Sequence, residues 1–269
     1  MNVHLALNKG VFNAGFNKLS LQSVVKNSSG KQEFYTDLIK TYHEEWTSGG
    51  KNKNRWYEYC FNRYTKKENF GQVEVSSFKM KAISNLAINH GGITALETGL
   101  ALHPIYGLPY LPGTALKGLA AHYADAVLGE RFEELRQGGA DYVVLFGSQT
   151  SAGFVNFHDA LLIPECTADA LKLDVLTPHH SEYNKIVIAE GNESKYNDGF
   201  APRDDDSPIP IPFLSVTGTF QIVLTCEGDA DEAQKWLKLA KQILVWALKH
   251  EGIGAKTNVG YGRMELVVE

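Results

Sequence analysis

The sequence predicts an α+β fold of the ferredoxin-like (RRM-like) type, in which a βαββαβ chain forms one sheet with two helices on one face. Two observations predict this fold. After residue 73, segments with the two-residue period of strands alternate with segments of helical period. This alternation also occurs twice in the order β–α–β. Inserted hairpins and an N-terminal helical extension complete the predicted architecture. Because RNA-recognition domains and many unrelated proteins share this fold, it leaves the function open.

Residues 1–72 are interpreted as the helical extension, and residues 73–269 as the main domain. In the first predicted helix, 31–46, apolar residues recur at four-residue steps: Phe34, Leu38, Tyr42 and Trp46. In the second, 51–67, the predicted apolar stripe consists of Trp56, Cys60 and Tyr64. The sequence therefore predicts two amphipathic helices in front of the sheet.

The first half of the main domain predicts strand, helix and strand. Residues 78–89 alternate at period two, and Thr114 is the predicted N-cap of a helix. That helix carries apolar residues at helical spacing: Leu116, Ala120, Tyr123 and Val127. Residues 152–163 and 171–177 predict strands. The polar stretch at about 178–212, rich in proline and glycine, predicts a protruding insertion.

The second half repeats the pattern with stronger signals. Residues 213–226 alternate most clearly and predict a strand with one apolar face: Leu214, Val216, Phe220, Ile222, Leu224 and Cys226. Asp229 is the predicted N-cap of the next helix, Glu232 completes a capping box, and Gly252 suits the C′ position. A final strand follows in 260–268.

Composition and charge exclude several classes of protein. With a net charge of −5 the chain is no polycation, so any nucleic-acid contact must be a local basic patch or be shared with partner chains. Cys60, Cys166 and Cys226 form no C-x-x-C pair and no disulfide framework, which favours a reducing cytoplasm. No apolar run is long enough for a membrane span, the N-terminus lacks a secretory signal, and no motif indicates a metal or a cofactor.

The segment HEGIGAKTNVGYGRMEL, residues 250–266, places glycines around Lys256 and Thr257, as many phosphate sites do. A nucleotide-binding P-loop is excluded because the glycine is misplaced. Such a loop also precedes a helix, whereas this segment follows a helix C-terminus, whose dipole repels anions.

Two interpretations of this glycine-rich loop remain. As a simple turn, it needs Gly252 and Gly254 for positive φ at the helix exit, and Gly260 and Gly262 to relieve crowding at the strand. As a binding loop, it offers backbone N–H groups, cations and small polar side chains to a sugar-phosphate backbone: Lys256, Thr257, Asn258 and Arg263.

Four motifs in order, from about residue 85 to the C-terminus, resemble a known family. GIGAKTNVGYGRM resembles the C-terminal glycine-rich loop of the RAMP superfamily, the repeat-associated proteins of CRISPR systems. Residues 102–124 resemble the first-helix motif of that superfamily, with its core at Pro112–Gly118. GFVNFHDALLIP, followed by LKLDVLTPHHSEYN, resembles the sixth-subunit family of the type III-B Cmr complex.

The resemblance implies a non-catalytic subunit of a multi-chain RNA-guided effector, capping the backbone filament near the 3′ end of the guide RNA. The implied partners are the guide RNA, with the target RNA as a further candidate, and other Cmr subunits. Thr114 and Lys117 lie at the start of the first helix of the main domain, where N–H groups can bind a phosphate. We expect them to share one basic groove with the polar residues of the glycine-rich loop.

Three other interpretations stay open. A RAMP-type, metal-independent endoribonuclease that processes repeat RNA would need a histidine to take the 2′-hydroxyl proton, and His122 on the first helix is the candidate. A stand-alone structural protein would use the glycine-rich loop only as a turn. The N-terminal region also contains an aromatic and basic stripe that could stack on single-stranded bases, although a helix core with a solvated basic face is favoured: Trp56, Tyr59, Tyr64, Lys51, Lys53, Arg55 and Arg63.

Overall fold

The fold combines α-helices with antiparallel sheet, which confirms the predicted α+β class. The computed structural model describes residues 2–9, 28–47, 51–92, 96, 98–177 and 210–268. The α-helices in these ranges are α1 (Val3–Lys9), α2 (Ser28–Thr47), α3 (Lys51–Thr65), α4 (Gly113–Ala126), α5 (Ala140–Phe146) and α6 (Ala230–His250).

The main sheet is antiparallel and centres on two long strands, β1 and β7. Its strands are β1 (Glu74–Ala82), β2 (Tyr110–Leu111), β3 (Val155–Phe157), β4 (Ala160–Leu162), β7 (Thr219–Cys226) and β8 (Met264–Leu266). The order across the sheet is β2–β4–β7–β1–β8, and β3 also pairs with β7. A second, two-stranded sheet consists of β5 (Leu171–Leu176) and β6 (Ile211–Val216).

Helix α6 packs against β1, β7 and β8, with α4 beside it. One stripe of α6 is buried at helical spacing: Ala233, Leu237, Ala240, Ile243, Leu244, Ala247 and Leu248. The Asp229 side chain accepts a hydrogen bond from the Asp231 N–H at 3.1 Å, and Gly252 has φ +82° just past the helix end. The predicted N-cap and C′ residues of this helix are therefore confirmed.

Helix α4 begins one residue before the predicted N-cap. Pro112 occupies the cap position and Thr114 is already helical, so the N-cap prediction for Thr114 is wrong. The capping acceptor comes from a distant part of the chain instead: the Gly113 N–H donates to Asp159 Oδ1 at 2.7 Å. A Cβ on residue 113 would lie 2.2 Å from the Phe157 carbonyl oxygen, so the close approach of β3 requires glycine there. The helix ends at Ala126, which leaves Val127 exposed rather than on the apolar face.

The predicted strand 213–226 is two strands in different sheets. Gly218, with φ +125°, separates β6 from β7. In β7 the predicted apolar face and the opposite, polar face are both covered, because every residue of this strand is buried. Two of its polar side chains are paired as burial requires: Gln221 Nε2 donates to Ser77 Oγ at 2.8 Å, and Thr225 Oγ1 lies 2.9 Å from His158 Nε2.

Three other predicted strands are shorter than expected. Of the final strand predicted at 260–268, only Met264–Leu266 is strand. The segment 152–163 forms β3 and β4, with His158 and Asp159 in the connection between them. The segment 78–89 is strand only to Ala82, and its last part meets β6 through a single bridge between Leu86 and Val216.

The N-terminal helices share the core of the sheet domain. Phe34, Leu38, Tyr42 and Trp46 of α2 are buried as predicted. Tyr57 of α3 is buried and donates its hydroxyl to the Leu162 carbonyl oxygen at 2.6 Å. The predicted apolar stripe of α3 is wrong, since Tyr57 and Phe61 face the core while Trp56 is exposed. The error is a rotation of about 100°, one residue along a helix. Most of the predicted insertion, 178–209, lies outside the described residues.

Candidate nucleic-acid interface

The glycine-rich loop, residues 252–263, is held to the core by backbone hydrogen bonds. Ile253 is buried, and its N–H donates to the Gly262 carbonyl oxygen at 2.9 Å, which closes the base of the loop. The Ala255 N–H donates to the Ala87 carbonyl oxygen, and the Gly262 N–H to the Asn85 carbonyl oxygen, each at 2.9 Å. The segment after β1 therefore forms the floor on which the loop rests.

All four glycines of the loop have positive φ: +82° at Gly252, +95° at Gly254, +97° at Gly260 and +84° at Gly262. Gly254 and Gly262 also permit close approach, because a Cβ would lie 2.6 Å from the Ala87 oxygen and 2.3 Å from the Ile253 oxygen. Around Gly260 there is open space, so the prediction that it relieves crowding is wrong. Its contribution is the left-handed turn alone.

The loop presents a concave group of backbone donors. Lys256 is left-handed (φ +64°, ψ +28°), and a right-handed 3-10 turn, Thr257–Val259, follows directly. A left-handed residue followed by a right-handed one turns three consecutive N–H groups toward a common point, an arrangement called a nest that binds anions. In the part of the chain that the structure describes, no acceptor takes the N–H groups of Lys256, Thr257 and Asn258. These donors are available to a ligand.

The side chains around the nest differ in availability. Lys256 and Thr257 are partly exposed and Asn258 is exposed. Arg263 is engaged elsewhere: its Nη1 donates to the Lys249 carbonyl oxygen at 3.2 Å, at the end of α6. An arginine there neutralises the carbonyl end of the helix. Of the two loop cations, Lys256 is thus the better placed for an anionic ligand.

The glycine-rich loop and the start of α4 meet at one cleft, which we call the loop–helix cleft. It has a volume of about 820 Å³ and is lined by Gly254 of the loop and Thr114 of α4, together with Asn89, His4 and Tyr110. Lys117 lines a neighbouring cleft of about 600 Å³ that shares Thr114. Thr114 and Gly254 therefore meet at this cleft, but the expected single basic groove is not observed there. The other predicted contact residues do not line the loop–helix cleft: Lys117, Lys256, Thr257, Asn258 and Arg263.

The start of α4 is a weaker anion site than the sequence suggests. The Gly113 N–H is taken by the Asp159 carboxylate, and the Ala115 and Leu116 N–H groups donate to the Pro112 carbonyl oxygen. A carboxylate at this position already uses the favourable end of the helix dipole. Among the described residues, only the Thr114 N–H of this first turn is left without an acceptor.

Comparison with known proteins assigns the family. The model of the RAMP superfamily matches residues 79–265, well over half of the chain. The chain belongs to the RAMP superfamily. The resemblance predicted from the sequence motifs is therefore confirmed, and the glycine-rich loop lies within the matched range.

Two curated relatives of this RAMP chain are Cmr6 proteins. The CRISPR system Cmr subunit Cmr6 of Pyrococcus furiosus is 30% identical, over 69% of this chain and 66% of the relative. Cmr6 of Saccharolobus solfataricus is 26% identical, over 65% of this chain and 51% of the relative. The chain thus spans about two thirds and about half the length of these relatives. In the cryo-EM structure of the Type III-B Cmr-beta bound to cognate target RNA, one chain shares the fold, with a TM-score of 0.59 and 18% identity over 99% of this chain and 79% of that chain.

Two residues that shape the site in this RAMP domain were not predicted. Asn89 lines the loop–helix cleft and has φ +61°, a conformation that asparagine tolerates. The Asn-His-Gly-Gly sequence at 89–92 is a turn signal that could have ended the predicted strand before it. Asp159 gave no comparable signal, because it lies 46 residues from Gly113.

His90 sits near Lys256, in surroundings that favour the neutral form of its ring. Burial, and then the charge of Lys256, lower the pKa of His90 below its ordinary value. The ring packs edge-on against Phe213, with centroids 5.0 Å apart.

Asp174 of β5 ties the loop to the second sheet. It accepts a hydrogen bond from the Tyr261 hydroxyl at 2.6 Å and one from Asn85 Nδ2 at 3.3 Å. Burial acts to raise the pKa of Asp174, but hydrogen bonds from Tyr261, the Val175 N–H and Asn85 outweigh it and lower that pKa. Burial and the bond to Asp174 raise the pKa of Tyr261 to about 12.

Replacing Tyr261 with phenylalanine is expected to lower the free energy of unfolding by about 1 kcal/mol at neutral pH, since a half-exposed hydrogen bond to a carboxylate is lost. Because the pKa of folded Asp174 is lowered, the bond contributes fully above the ordinary value of 3.8 and its contribution disappears as pH falls through the lowered pKa. Urea unfolding of both proteins from pH 7 down to pH 3 measures this. A difference that persists or grows on acidification would contradict the assignment.

The remaining chemical candidates lie apart from the loop–helix cleft. His122 is exposed on α4, with Nε2 3.8 Å from Glu251 Oε2, and does not line the cleft. Within the described ranges, no three His, Cys, Asp or Glu side chains are grouped so as to hold a metal ion. Likewise, no helix described by the structure has both the length and the apolar character to cross a membrane.

Proposed function

We propose that this chain is a non-catalytic, RNA-binding subunit of a type III-B CRISPR (Cmr) effector complex, which caps the backbone of the complex near the 3′ end of the guide RNA. The two Cmr6 relatives support the assembly, and the structural neighbour bound to target RNA supports RNA as a partner. The other Cmr subunits are the protein partners in this proposal. The target RNA can then reach the chain as the strand paired with the guide.

The observation that carries the RNA assignment is the nest at Lys256, Thr257 and Asn258. Three backbone N–H groups without acceptors among the described residues converge at this turn, and one of them belongs to the cationic residue Lys256. A phosphate oxygen can accept from such donors whatever the base, so they position an RNA strand without reading its sequence. This suits a subunit that must hold guides of many sequences.

The contribution of each predicted contact follows from its surroundings. Lys256 with the nest is the principal phosphate contact, and Thr257 and Asn258 add neutral hydrogen-bonding groups. Arg263 contributes less to RNA because its guanidinium group is bonded to the end of α6. Thr114 and Lys117 flank the path of the strand from the loop toward α4.

The sheet order supports the ferredoxin-like arrangement that we propose for the domain. With β3 and β4 counted as one broken strand, the order from one edge is last, first, third, second: β8, β1, β7, then β4 with β3. That order, with α4 and α6 as the two crossover helices, is the split βαβ pattern. It brings the start of α4 and the loop after α6 to the same end of the sheet.

The non-catalytic part of the proposal rests on the placement of His122. A general base must come within hydrogen-bond reach of the proton it removes. His122 lies outside the set of residues that line the loop–helix cleft, and its near neighbour is the carboxylate of Glu251. RNA bound across the nest and the cleft would therefore not bring its 2′-hydroxyl to this histidine.

The test exchanges Lys256 for glycine. Glycine accepts the left-handed conformation without strain, so Lys256→Gly removes the cation while it keeps the turn and the nest. We expect about a tenfold loss of affinity for single-stranded RNA, and the slope of log K against log salt should become shallower by about 0.7. Fluorescence anisotropy with a labelled mixed-sequence RNA, titrated from low to physiological salt, measures both quantities.

Lys235→Ala is the matched control, because Lys235 is exposed on α6 and lines a pocket with acidic residues rather than the loop–helix cleft. It removes one charge and should leave affinity and slope close to those of the wild type. If Lys256→Gly behaves like Lys235→Ala, the loop is only a turn and the RNA assignment is wrong.

A further inference from the structure

Helix α3 exposes two large aromatic side chains that the core does not use. Trp56 is 60% exposed and Tyr59 is 59% exposed. Their rings are stacked on each other, with centroids 6.1 Å apart and planes inclined by 23°. The neighbouring Tyr57 and Phe61 already fill the core-facing side of the helix. Packing therefore does not explain the exposed pair.

The exposed pair lies between arginines. Arg55 and Arg63 are exposed, and each is four residues from Tyr59, so the three residues form one line along the helix. The line rises about 12 Å between the arginines. Overall, α3 contains four basic residues and one acidic residue, Glu58, in a chain whose net charge is −5. The exposed Arg55 and Arg63 thus make this side of the helix locally basic on an acidic protein.

We propose that this α3 face (Arg55, Trp56, Tyr59 and Arg63) is a stacking platform for the bases of single-stranded RNA. Each base presents a flat π-face that stacks on an aromatic ring, while guanidinium groups pair with the phosphates or stack on the bases themselves. The proposal rests on the proposed RNA-binding function and adds to it a second contact, one that recognises bases rather than phosphates.

The observations favour RNA over a protein partner for this face. The cores of protein interfaces also use tryptophan and tyrosine, but they are depleted of charged residues. Here the two rings stand on a convex helix surface and line neither of the clefts described above. Their neighbours along the helix are cations, which complement a polyanion.

A chain of hydrogen bonds connects the C-terminal end of α3 to the edge of the loop–helix cleft. At the C-terminal end of α3, the Tyr64 hydroxyl donates to the Asp159 carbonyl oxygen at 3.1 Å. The Asp159 carboxylate in turn accepts from Gly113, next to the cleft residue Thr114. A strand leaving the cleft past the start of α4 therefore meets the end of α3, from which it can continue onto the face.

The experiment compares Trp56→Ala, Trp56→Phe and Trp246→Ala in the full chain. Trp246 is an exposed tryptophan on α6 and serves as the matched control. The probes are a labelled single-stranded RNA and a ribose-phosphate strand of equal length without bases. Trp56→Ala should weaken RNA binding about 5- to 100-fold, which corresponds to the loss of one stacked base. Trp56→Phe should recover part of the loss, and Trp246→Ala should bind like the wild type.

The salt slope and the baseless strand separate this proposal from the phosphate contact. Trp56→Ala should leave the salt slope unchanged and should bind the baseless strand as tightly as the wild type does, because no phosphate contact is lost. Lys256→Gly should instead weaken both probes. Equal weakening of both probes by Trp56→Ala would overturn the platform, as would unchanged RNA affinity together with weaker association with a partner subunit. If wild-type protein binds neither probe, the proposed function itself fails.

Discussion

Replacing Trp46 with alanine is expected to lower the free energy of unfolding by about 4 kcal/mol, within the range for removing a fully buried tryptophan. Trp46 is 3% exposed and lies edge-to-face against Tyr57 of the next helix, with centroids 5.9 Å apart. It also packs against Tyr42 on its own helix. The cavity would therefore open at the junction of α2 and α3, where both helices meet the sheet domain. Urea unfolding followed by far-UV circular dichroism measures the loss.

Trp56→Ala is the control for this prediction, because the same residue type is removed from an exposed position ten residues along the chain. We expect it to change the free energy of unfolding by no more than about 0.5 kcal/mol. This measurement also establishes that the variant used to test the stacking platform is folded. If Trp46→Ala instead melts the helices in a separate early transition, residues 1–72 form an extension that folds independently of the sheet.

Replacing Gly262 with alanine is expected to cost about 3 kcal/mol of stability, the second largest effect that we predict. Two terms add at this position. The φ of +84° is unfavourable for any residue with a Cβ, and that Cβ would lie 2.3 Å from the Ile253 carbonyl oxygen. Because the Ile253–Gly262 hydrogen bond closes the loop, relief of the clash would open the loop base. The midpoint temperature of thermal unfolding and the affinity for RNA should therefore both decrease.

Gly260→Ala separates the two terms, because Gly260 has φ +97° but open space around it. Only the backbone strain applies, and the expected cost is about 1–2 kcal/mol. Equal costs at the two positions would show that the steric contact with Ile253 is relieved easily and that the loop base is softer than its hydrogen bonds suggest.

The elements predicted best are those whose signals are local. Asp229 and Gly252 lie at the two ends of α6 as predicted, because a cap and a C′ glycine act within a few residues of the helix end. The strand at 213–226 shows where local reasoning fails. Its alternation is real, but β7 is covered on both faces, and its polar residues are buried through pairing with Ser77 and His158. Periodicity reports polarity, and polarity equals exposure only when no distant partner satisfies the polar group.

The candidate site also divides into features with local signals and features that depend on distant contacts. The glycines and polar residues of the loop could be read from the sequence, since they are adjacent in it. The cap of α4 by Asp159 and the support of the loop by Asn85 and Ala87 could not, because these contacts join residues far apart in the chain. The rotation of α3 that exposes Trp56 was missed because its core-facing and exposed sides both carry aromatic residues, so composition does not distinguish them.

The attachment of the glycine-rich loop to its floor has a thermodynamic consequence for any ligand. Ala255 and Gly262 are bonded to the Asn85–Ala87 backbone, and Tyr261 is bonded to Asp174, on either side of the nest. The conformational entropy lost in ordering this backbone is therefore part of the free energy of folding, and not of anion binding. Little ordering is left for the binding step, so donors that are individually weak can still hold a phosphate.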